Sequence, residues 1–551
     1  MLENYQPKKV FQYFEEICRI PHPSYHCEAI SNYLMDFAKE HGLEAYQDEL
    51  YNVIIIKEAA KGKEGVEPIM IQGHMDMVAV KDDDCEKDLL KEDLDLAVDG
   101  DYLYAKKTSL GGDDGIAVAY GLALLSDDTL KLPRIELVIT TEEEVGMEGA
   151  TGIDLSVCKA NRMLNLDSEE EGEFVVSCAG GVRVQAHMPF ERVPVLLTED
   201  KALYHVEISK LAGGHSGTEI IHGRANAVKI LGWVLKNIRE EVSMKLVELA
   251  GGTKDNAIPV YADAVILASK QNFETLKKVE ERLQDIFFHL YHKTDEQGRI
   301  DIHELTFDET RKYVQEINDE NTECKNEIIE KGIENKNIEI GKGTEHINDE
   351  MQKKSVEYGD GKNQIDCIPN HAENGNTIFC IEEERAKDII AFIYRAPNGV
   401  QAMSRRLEGL VETSLNLGIM ECSKEAIRFV FSLRSSISQE KDALRRELCE
   451  LIQKHGGSFE LAGEYPAWEY KEKSDLREHM KKIYQKQYGK APKVLSIHAG
   501  LECGILAAKK PGLDCVACGP DILDIHTTRE RLSISSVERV WKFIVEVLET
   551  L

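Results

Sequence analysis

The sequence predicts an α/β protein in which a domain with a mostly parallel central sheet, flanked by helices, is interrupted by a second, α+β domain. In the first part of the chain, short apolar strands alternate with helices, which is typical of a parallel sheet. From about residue 187 the strands alternate apolar and polar residues instead. After about residue 441 the first pattern returns. The 551 residues are enough for several domains of roughly 150 residues each.

The first domain, predicted over 1–186 and 441–551, is defined by helical periodicity and by short apolar runs. Its predicted helices are 7–20, 26–42, Ile116–Leu125 and Val537–Leu551. Its predicted strands are Asn52–Lys57, Pro68–Gln72, Ile135–Thr140, Arg162–Leu166 and Val494–Ile497. Because the domain resumes after a long interval, the chain between its two parts is interpreted as an inserted domain.

The inserted domain is predicted over 187–440. Tyr204–Ser209 and Asp263–Ala268 are predicted strands, and Ala225–Arg239 is a predicted helix. Within this domain, 28 of the 47 residues in 318–364 are Asp, Glu, Lys, Arg, Asn or Gln, and none is Phe or Trp. A segment of this composition buries little apolar surface, so we predict a polar surface insertion.

The charge balance argues against several classes of partner. Lys and Arg number 67 against 99 Asp and Glu, and the net charge of −32 disfavours binding to nucleic acid or to anionic lipid. Every apolar run is far shorter than the roughly 20 residues of a membrane span. The N-terminus shows no basic segment followed by an apolar one, and 13 scattered cysteines indicate reduced thiols. We therefore expect a cytoplasmic protein.

Residues that can bind metal ions follow the predicted strands. His74 and Asp76 come just after Pro68–Gln72, and residues two apart in an extended chain face the same way. Asp113 and Asp114 lie in a glycine-rich turn before a helix. Each group also has an ordinary interpretation, since polar residues often end strands and Asp often caps a helix. These groups alone do not separate the two interpretations.

Three further groups strengthen the metal interpretation. Glu142–Glu144 follows an apolar strand, and adjacent carboxylates repel each other unless cations or water offset their charge. Asp167 and His498 follow two more strands. Ligands gather at the carboxyl ends of strands in open α/β sheets. Two His and several carboxylates suit Zn²⁺, and also Mn²⁺ or Co²⁺. Two such ions about 3.5–4 Å apart would share a bridging carboxylate.

Six motifs occur along nearly the whole chain outside the polar insertion: Ile20–Tyr25, Gly73–Val78, Leu110–Gly115, Thr141–Met147, Gly213–Gly217 and Ile497–Gly504. In this order they resemble the co-catalytic zinc metallopeptidases, which include carboxypeptidase G, peptidase T, peptidase V and the aminoacylases. Within that group they resemble the aminoacyl-histidine dipeptidases, also called peptidase D, β-Ala-His dipeptidase or bacterial carnosinase. The resemblance implies that the first domain is catalytic and that the inserted domain is a lid.

The resemblance also implies two divalent metal ions, first of all Zn²⁺, and a role for each matching residue. The implied metal ligands are His74, Asp113, Glu144, Asp167 and His498. Asp76 would orient His74, and Asp113 would bridge the two ions. Glu143 would be the general base for a metal-bridged hydroxide that attacks the peptide carbonyl.

In the lid, the resemblance assigns three residues. His215, in a glycine-framed turn, would stabilise the tetrahedral oxyanion. Asn226 would contact the substrate. Arg434 would bind the C-terminal carboxylate of the substrate, which a planar guanidinium suits. Without the motifs, His215 would be an ordinary turn residue and Arg434 an ordinary ion-pair partner.

The implied activity is therefore that of a dipeptidase acting on short peptides, with Xaa-His dipeptides such as β-Ala-His as the implied substrates. A deacylase of N-acyl amino acids would use the same two-metal site and is the alternative. A binding protein without catalysis is disfavoured because every expected position is filled. Glu142 departs from the family pattern without consequence for the mechanism, whereas Ala467 and the insertion at 318–364 also depart from it and leave substrate preference open. Relatives with a lid are often dimers, so a homodimer is a further implied partner.

Overall fold

The structure is a computed structural model that describes residues 1–311, 313–314, 377–406 and 409–551. The first catalytic segment contains α1 Lys8–Ile17, α2 Glu28–Glu40, β1 Glu44–Gln47, β2 Val53–Lys57, β3 Ile69–His74, β4 Leu96–Asp99, β5 Tyr102–Ala105, α3 Gly112–Ser126, β6 Ile135–Thr140, α4 Glu148–Gly152, β7 Arg162–Asn165 and β8 Glu173–Cys178. The lid begins with β9 Gly180–Pro189, β10 Arg192–Leu196, β11 Lys201–Ser209, α5 Ala227–Glu241, β12 Met244–Gly251, β13 Ala262–Ser269, α6 Phe273–Tyr291 and β14 Arg299–Glu304.

The lid continues after the undescribed residues with β15 Thr377–Ile381, α7 Glu383–Arg395, β16 Gly399–Met403, β17 Val411–Cys422, β18 Ala426–Ser435, α8 Ser438–Lys454 and β19 Ser458–Tyr465. The second catalytic segment contains α9 Asp475–Tyr488, β20 Lys493–Ile497, α10 Glu502–Lys509, β21 Asp514–Ala517, β22 Ile522–Leu523, β23 Arg531–Ser533 and α11 Ile534–Thr550. The predicted insertion at 318–364 lies outside the described residues.

The catalytic domain is built on an eight-stranded sheet in the order β1-β2-β6-β3-β7-β21-β8-β20. The pairs β6–β3, β3–β7, β7–β21 and β8–β20 are parallel, which confirms the predicted α/β class. Because β3, β6 and β7 are parallel neighbours, their carboxyl ends meet at one edge of the sheet. The residues that follow these three strands therefore come together there.

Helices cover both faces of this sheet. Helix α3 is buried along almost its whole length, which fits its apolar composition, and it packs with α1 on one face. Gly121 of α3 lies so close to Leu137 of β6 that a Cβ atom there would be 2.4 Å from the Leu137 side chain, which would have to move. On the other face α4 packs against α10. The start of α3 is thereby fixed at the sheet edge.

The lid has a nine-stranded antiparallel sheet in the order β14-β11-β13-β12-β17-β18-β9-β19, with β16 paired to β17. Its apolar core lies between this sheet and the helices α5 to α8. The register places Ser414, Arg434, Gly181 and Tyr465 in one row across four neighbouring strands.

The boundaries predicted at 187 and 440 fall inside lid elements and are corrected by the structure. β9 follows β8 after the single residue Ala179, so no loop or change of composition marks the domain boundary. The two connecting segments run side by side, where Cys178 and Trp468 exchange backbone hydrogen bonds of 3.0 and 3.1 Å. The lid therefore extends over about 180–465. No helix among the described residues has the length and apolarity needed to cross a bilayer.

Candidate active site

The ends of three strands and the start of α3 bring His74, Asp113, Glu144 and Asp167 together, as predicted. The Nε2 atom of His74, the last residue of β3, is 3.2 Å from Asp113 Oδ1 and 3.8 Å from Asp167 Oδ1. A second histidine completes the cluster, since His526 Nε2 lies 3.1 Å from Asp113 Oδ2 and 2.8 Å from Glu144 Oε1. The two oxygens of Asp113 thus face two different imidazoles, which is the geometry of a bridging carboxylate.

His526 takes the place in this cluster that the sequence prediction gave to His498. The Nε2 atom of His498 lies 2.7 Å from the Ser414 hydroxyl of the lid, whereas Nε2 of His526 contacts Asp113 and Glu144 directly. The reason is that the chain turns towards the lid after β20. The structure therefore brings His526, and not the predicted His498, to the cluster of carboxylates.

The donor atoms fit divalent metal ions. Two groups of potential ligands have one donor atom each within 4.8 Å of the others: His74 with Asp114 and Asp167, and His74 with Asp113 and Glu144. The donors are imidazole nitrogens and carboxylate oxygens, which suit Zn²⁺ and also Mn²⁺ or Co²⁺. His74 belongs to both groups, and the two oxygens of Asp113 contact His74 and His526.

Asp76 contacts His74 and the backbone of the glutamate run on the side of the cluster away from Asp113 and Asp167. The Nδ1 atom of His74 is 3.0 Å from the Asp76 carbonyl oxygen and 3.4 Å from its Oδ1. The Asp76 carboxylate also accepts hydrogen bonds from the backbone N–H groups of Glu143 and Glu144, at 3.0 and 3.3 Å. Although burial opposes it, the hydrogen bond and charge of His74 bring the pKa of Asp76 below its ordinary value. The Asp76 carboxylate therefore contacts both His74, a predicted metal ligand, and the backbone of Glu143, the predicted general base.

Crowding of acids controls the ionisation of the cluster. Burial, with the charges of Glu502, Glu144 and Asp113, raises the pKa of Glu143 to about 8. Burial also raises the pKa of Asp167 well above its ordinary value. Hydrogen bonds to Asp113 and Glu144 raise the pKa of His526 to about 10. Bound cations would offset the repulsion between these carboxylates. A metal ion bound to Nε2 of His526 would have to displace the proton of that nitrogen.

Proton release on metal binding is the first expected result. Since a histidine ligand must be neutral, a metal ion has to displace the His526 proton at any pH below about 10. A histidine with the ordinary pKa near 6.5 is already neutral at pH 8 and would release almost no protons there. Titration of metal-free protein with Zn²⁺ at pH 8, in buffers of different ionisation enthalpy, should show protons released. Heats that do not depend on the buffer would contradict this expectation, and His526→Ala should reduce the release.

Glu530 holds the turn that carries Asp113, a role that the sequence did not reveal. Its carboxylate accepts the backbone N–H groups of Leu110, Gly111, Gly112 and Asp113 at 2.7, 3.1, 2.7 and 3.3 Å, and its side chain is almost fully buried. Backbone N–H groups left unsatisfied in the interior are costly. The turn is therefore specified by a residue more than 400 positions away in the chain.

Glu530→Gln should destabilise the protein, because the side-chain NH₂ group would replace one acceptor oxygen and face the backbone N–H groups of the turn. Loss of charged hydrogen bonds of this kind costs roughly 1.5–3 kcal/mol. Urea unfolding of the metal-free protein should show a lower midpoint than for the wild type. The exposed Glu538, which pairs with Lys542 on α11, provides the matched control Glu538→Gln. Equal midpoints for both variants would show that Glu530 does not hold the turn.

His215 is placed in the lid with one ring nitrogen already occupied. Its Nδ1 accepts the backbone N–H groups of Gly217 and Thr218, both at 3.3 Å, which places the ring proton on Nε2. Burial and the charge of Arg434 lower the pKa of His215, so the ring is neutral at neutral pH. A neutral imidazole with a free Nε2–H donor fits the predicted oxyanion role.

The other two predicted lid residues have different surroundings. Arg434 lies in the row of residues described above, and its Nη1 donates to the Tyr465 hydroxyl at 3.2 Å. Asn226 is buried as the N-cap of α5, where its Oδ1 accepts from Lys229 N–H and its Nδ2 donates to the Leu417 carbonyl. Its side chain is hydrogen-bonded within the lid, and the substrate contact at Asn226 stays a prediction.

Comparison with known proteins identifies the family. Residues 70–550 match Peptidase family M20/M25/M40. The chain belongs to this family. It is therefore a peptide-bond hydrolase, and the resemblance to the co-catalytic metallopeptidases is confirmed. The chain is 31% identical to the cytosol non-specific dipeptidase of Escherichia coli (strain K12) over 548 residues, covering 100% of this chain and 98% of that protein.

Solved structures agree with this family. The chain matches aminoacylhistidine dipeptidase from Vibrio alginolyticus with a TM-score of 0.82 and 28% identity, covering 100% of this chain and 98% of that one. It matches the aminopeptidase PepT from Bacillus cereus ATCC 10987 with a TM-score of 0.50 and 14% identity, covering 99% and 98% of the two chains. The first match confirms the fold of a catalytic domain with a lid.

Proposed function

We propose that this protein is a dipeptidase that uses two divalent metal ions, first of all Zn²⁺, to hydrolyse short peptides. The observation that carries the proposal is the position of Asp113 between His74 and His526, beside Glu143. The relatives support the reaction class, since one is named a non-specific dipeptidase and another an aminoacylhistidine dipeptidase.

The proposed ligands divide into two sets that share Asp113. His74 and Asp167 would hold one ion, and His526 and Glu144 would hold the other. Bound ions of this kind act as Lewis acids, which lower the pKa of water and polarise a carbonyl group. Asp76 keeps the His74 ring in place, and Glu530 keeps Asp113 in place, so the chain supplies a fixed geometry for both ions.

Glu143 is the proposed general base. It would take a proton from the attacking water and then deliver this proton to the leaving amine. A carboxylate near the reacting atoms can carry out both transfers. Its backbone is held by the Asp76 carboxylate at 3.0 Å, next to the ligand Glu144. His215, neutral and with a free Nε2–H, would donate to the oxyanion of the tetrahedral intermediate.

Arg434 is the proposed binding group for the C-terminal carboxylate of the substrate, which would select short peptides. Xaa-His dipeptides such as β-Ala-His are the proposed substrates, because the six sequence motifs resemble those of the aminoacyl-histidine dipeptidases. Cleavage of N-acyl amino acids at the same site is the second candidate, since it needs the same carboxylate. The cytoplasm is the proposed compartment, in line with the cytosolic relative.

Hydrolysis assays on metal-stripped protein test this proposal. β-Ala-His, Ala-His, Ala-Leu and N-acetyl-leucine would each be incubated with no metal and with Zn²⁺, Mn²⁺ or Co²⁺ added back. We expect metal-restored cleavage of the free dipeptides, with the Xaa-His members preferred. Cleavage of N-acetyl-leucine alone would move the assignment to the deacylase. No cleavage of any substrate, with metal ions bound, would refute both.

A further inference from the structure

At the junction between the catalytic domain and the lid, buried polar atoms lack hydrogen-bond partners. They include Nδ1 of His498, Nε of Arg434 and Oγ of Ser216. His498 and Ser216 are only 6% and 2% exposed. Because buried polar groups are almost always paired in folded proteins, unpaired ones at a single junction indicate a missing polar ligand.

These residues are connected through direct contacts. His498, from the catalytic domain, contacts the Ser414 hydroxyl of the lid at 2.7 Å, and Ser414 is the cross-strand neighbour of Arg434. Ser216 is followed by Gly217, which approaches the His498 carbonyl so closely that a Cβ atom would lie 2.8 Å from it. The two domains therefore meet at His498, which contacts Ser414 beside Arg434 and lies against Gly217, the residue after Ser216.

The imidazole of His498 is suited to donate one hydrogen bond. Burial and the positive charge of Arg434 lower the pKa of His498 to about 4, outweighing its interaction with the Val411 backbone, so the ring is neutral at neutral pH. When Nε2 accepts a hydrogen bond from the Ser414 hydroxyl, the single proton of the neutral ring is on Nδ1. The unpaired Nδ1 of His498 and the unpaired Nε of Arg434 are donors that an anion can accept from, while Nη1 of Arg434 stays bonded to the Tyr465 hydroxyl.

We propose that His498 is a specificity-determining residue that binds the C-terminal carboxylate of the substrate together with Arg434, with the Ser216 hydroxyl as a further donor. This inference rests on the proposed dipeptidase function, and it replaces the metal-binding role that the sequence suggested for His498. Since His498 lies in the catalytic domain and Arg434 in the lid, the carboxylate site is complete only when the two domains are in contact. A free carboxylate would therefore stabilise the closed arrangement.

Substrate pairs that differ only in the carboxylate test this proposal. Steady-state kinetics would be measured for Ala-Leu and for Ala-Leu amide with the Zn²⁺-loaded wild type and His498→Gln. We expect the wild type to prefer the free acid. His498→Gln should raise KM for Ala-Leu roughly ten- to a hundredfold, the range expected for loss of one charge-assisted hydrogen bond, with little change for the amide. Both metal ions should remain bound. His222→Gln, at an exposed lid histidine, is the matched control.

Several outcomes would overturn the proposal. Loss of one metal ion per chain in His498→Gln would make His498 a metal ligand. An equal loss of activity on the acid and the amide would indicate a merely structural role.

If His498→Gln does not fold, Ser414→Ala keeps the imidazole but removes its hydrogen bond, and it should raise KM for the acid alone by about three- to tenfold. An unchanged KM in Ser414→Ala would refute the inference. A wild type that cleaves neither peptide would refute the proposed function itself, whereas cleavage without acid preference would refute only the role of His498.

Discussion

Glu143→Gln should lower kcat for a free dipeptide by roughly 10²- to 10⁴-fold, the contribution usual for a general acid–base group. Gln has nearly the same shape as Glu, and the backbone contact from Glu143 to Asp76 does not involve the side chain. The neighbouring ligand Glu144 should therefore stay in place. What is lost is the ability to accept a proton from water. The assay is steady-state hydrolysis of Ala-Leu at saturating Zn²⁺.

Metal content separates this chemical loss from a structural one. Glu143→Gln should retain the same number of Zn²⁺ ions per chain as the wild type. Glu142→Gln is the matched control, because Glu142 is the adjacent acid and accepts the backbone N–H of Tyr25 at 2.6 Å rather than facing the cluster. It should keep kcat within a few-fold of wild type. If Glu143→Gln stays active, or Glu142→Gln loses as much, Glu143 is not the base.

Much of the fold could be predicted because the signals are local. The strand predicted over Ile135–Thr140 is β6 to the residue, since an unbroken apolar run encodes a strand buried on both faces. The helix predicted over 26–42 is α2, whose apolar residues lie on one face. The domain boundaries were wrong because β8 and β9 are nearly continuous and similar in composition, so only their partners in two different sheets separate them.

The cluster of potential ligands could be predicted only where each residue follows an apolar strand. His74, Glu144 and Asp167 have this signal. His526 lacks it, because it follows the two-residue strand β22 in a loop, and Asp113, which it contacts, lies 413 residues earlier. His498 does follow a strand, and this same signal pointed to a histidine that lies outside the cluster. Glu530 was missed for a related reason, since its role depends entirely on a distant turn.

The two histidines therefore make opposite predictions that one comparison decides. His526→Ala should remove one of two bound metal ions and lower kcat/KM by more than roughly a hundredfold. That figure exceeds the usual 10- to 100-fold cost of losing a group that only orients a metal ligand. The reason is that His526 contacts both Asp113 and Glu144 directly, at 3.1 and 2.8 Å.

His498→Gln, measured in the same experiment, should keep both metal ions, since His498 contacts Ser414 rather than the carboxylates. Zn²⁺ per chain would be counted by atomic emission after gel filtration, and kcat/KM measured on Ala-Leu. If His526→Ala keeps both ions while His498→Gln loses one, the correction to the ligand set is wrong. The opposite result would show that spatial contact with Asp113, and not position after an apolar strand, determines which histidine completes the metal site.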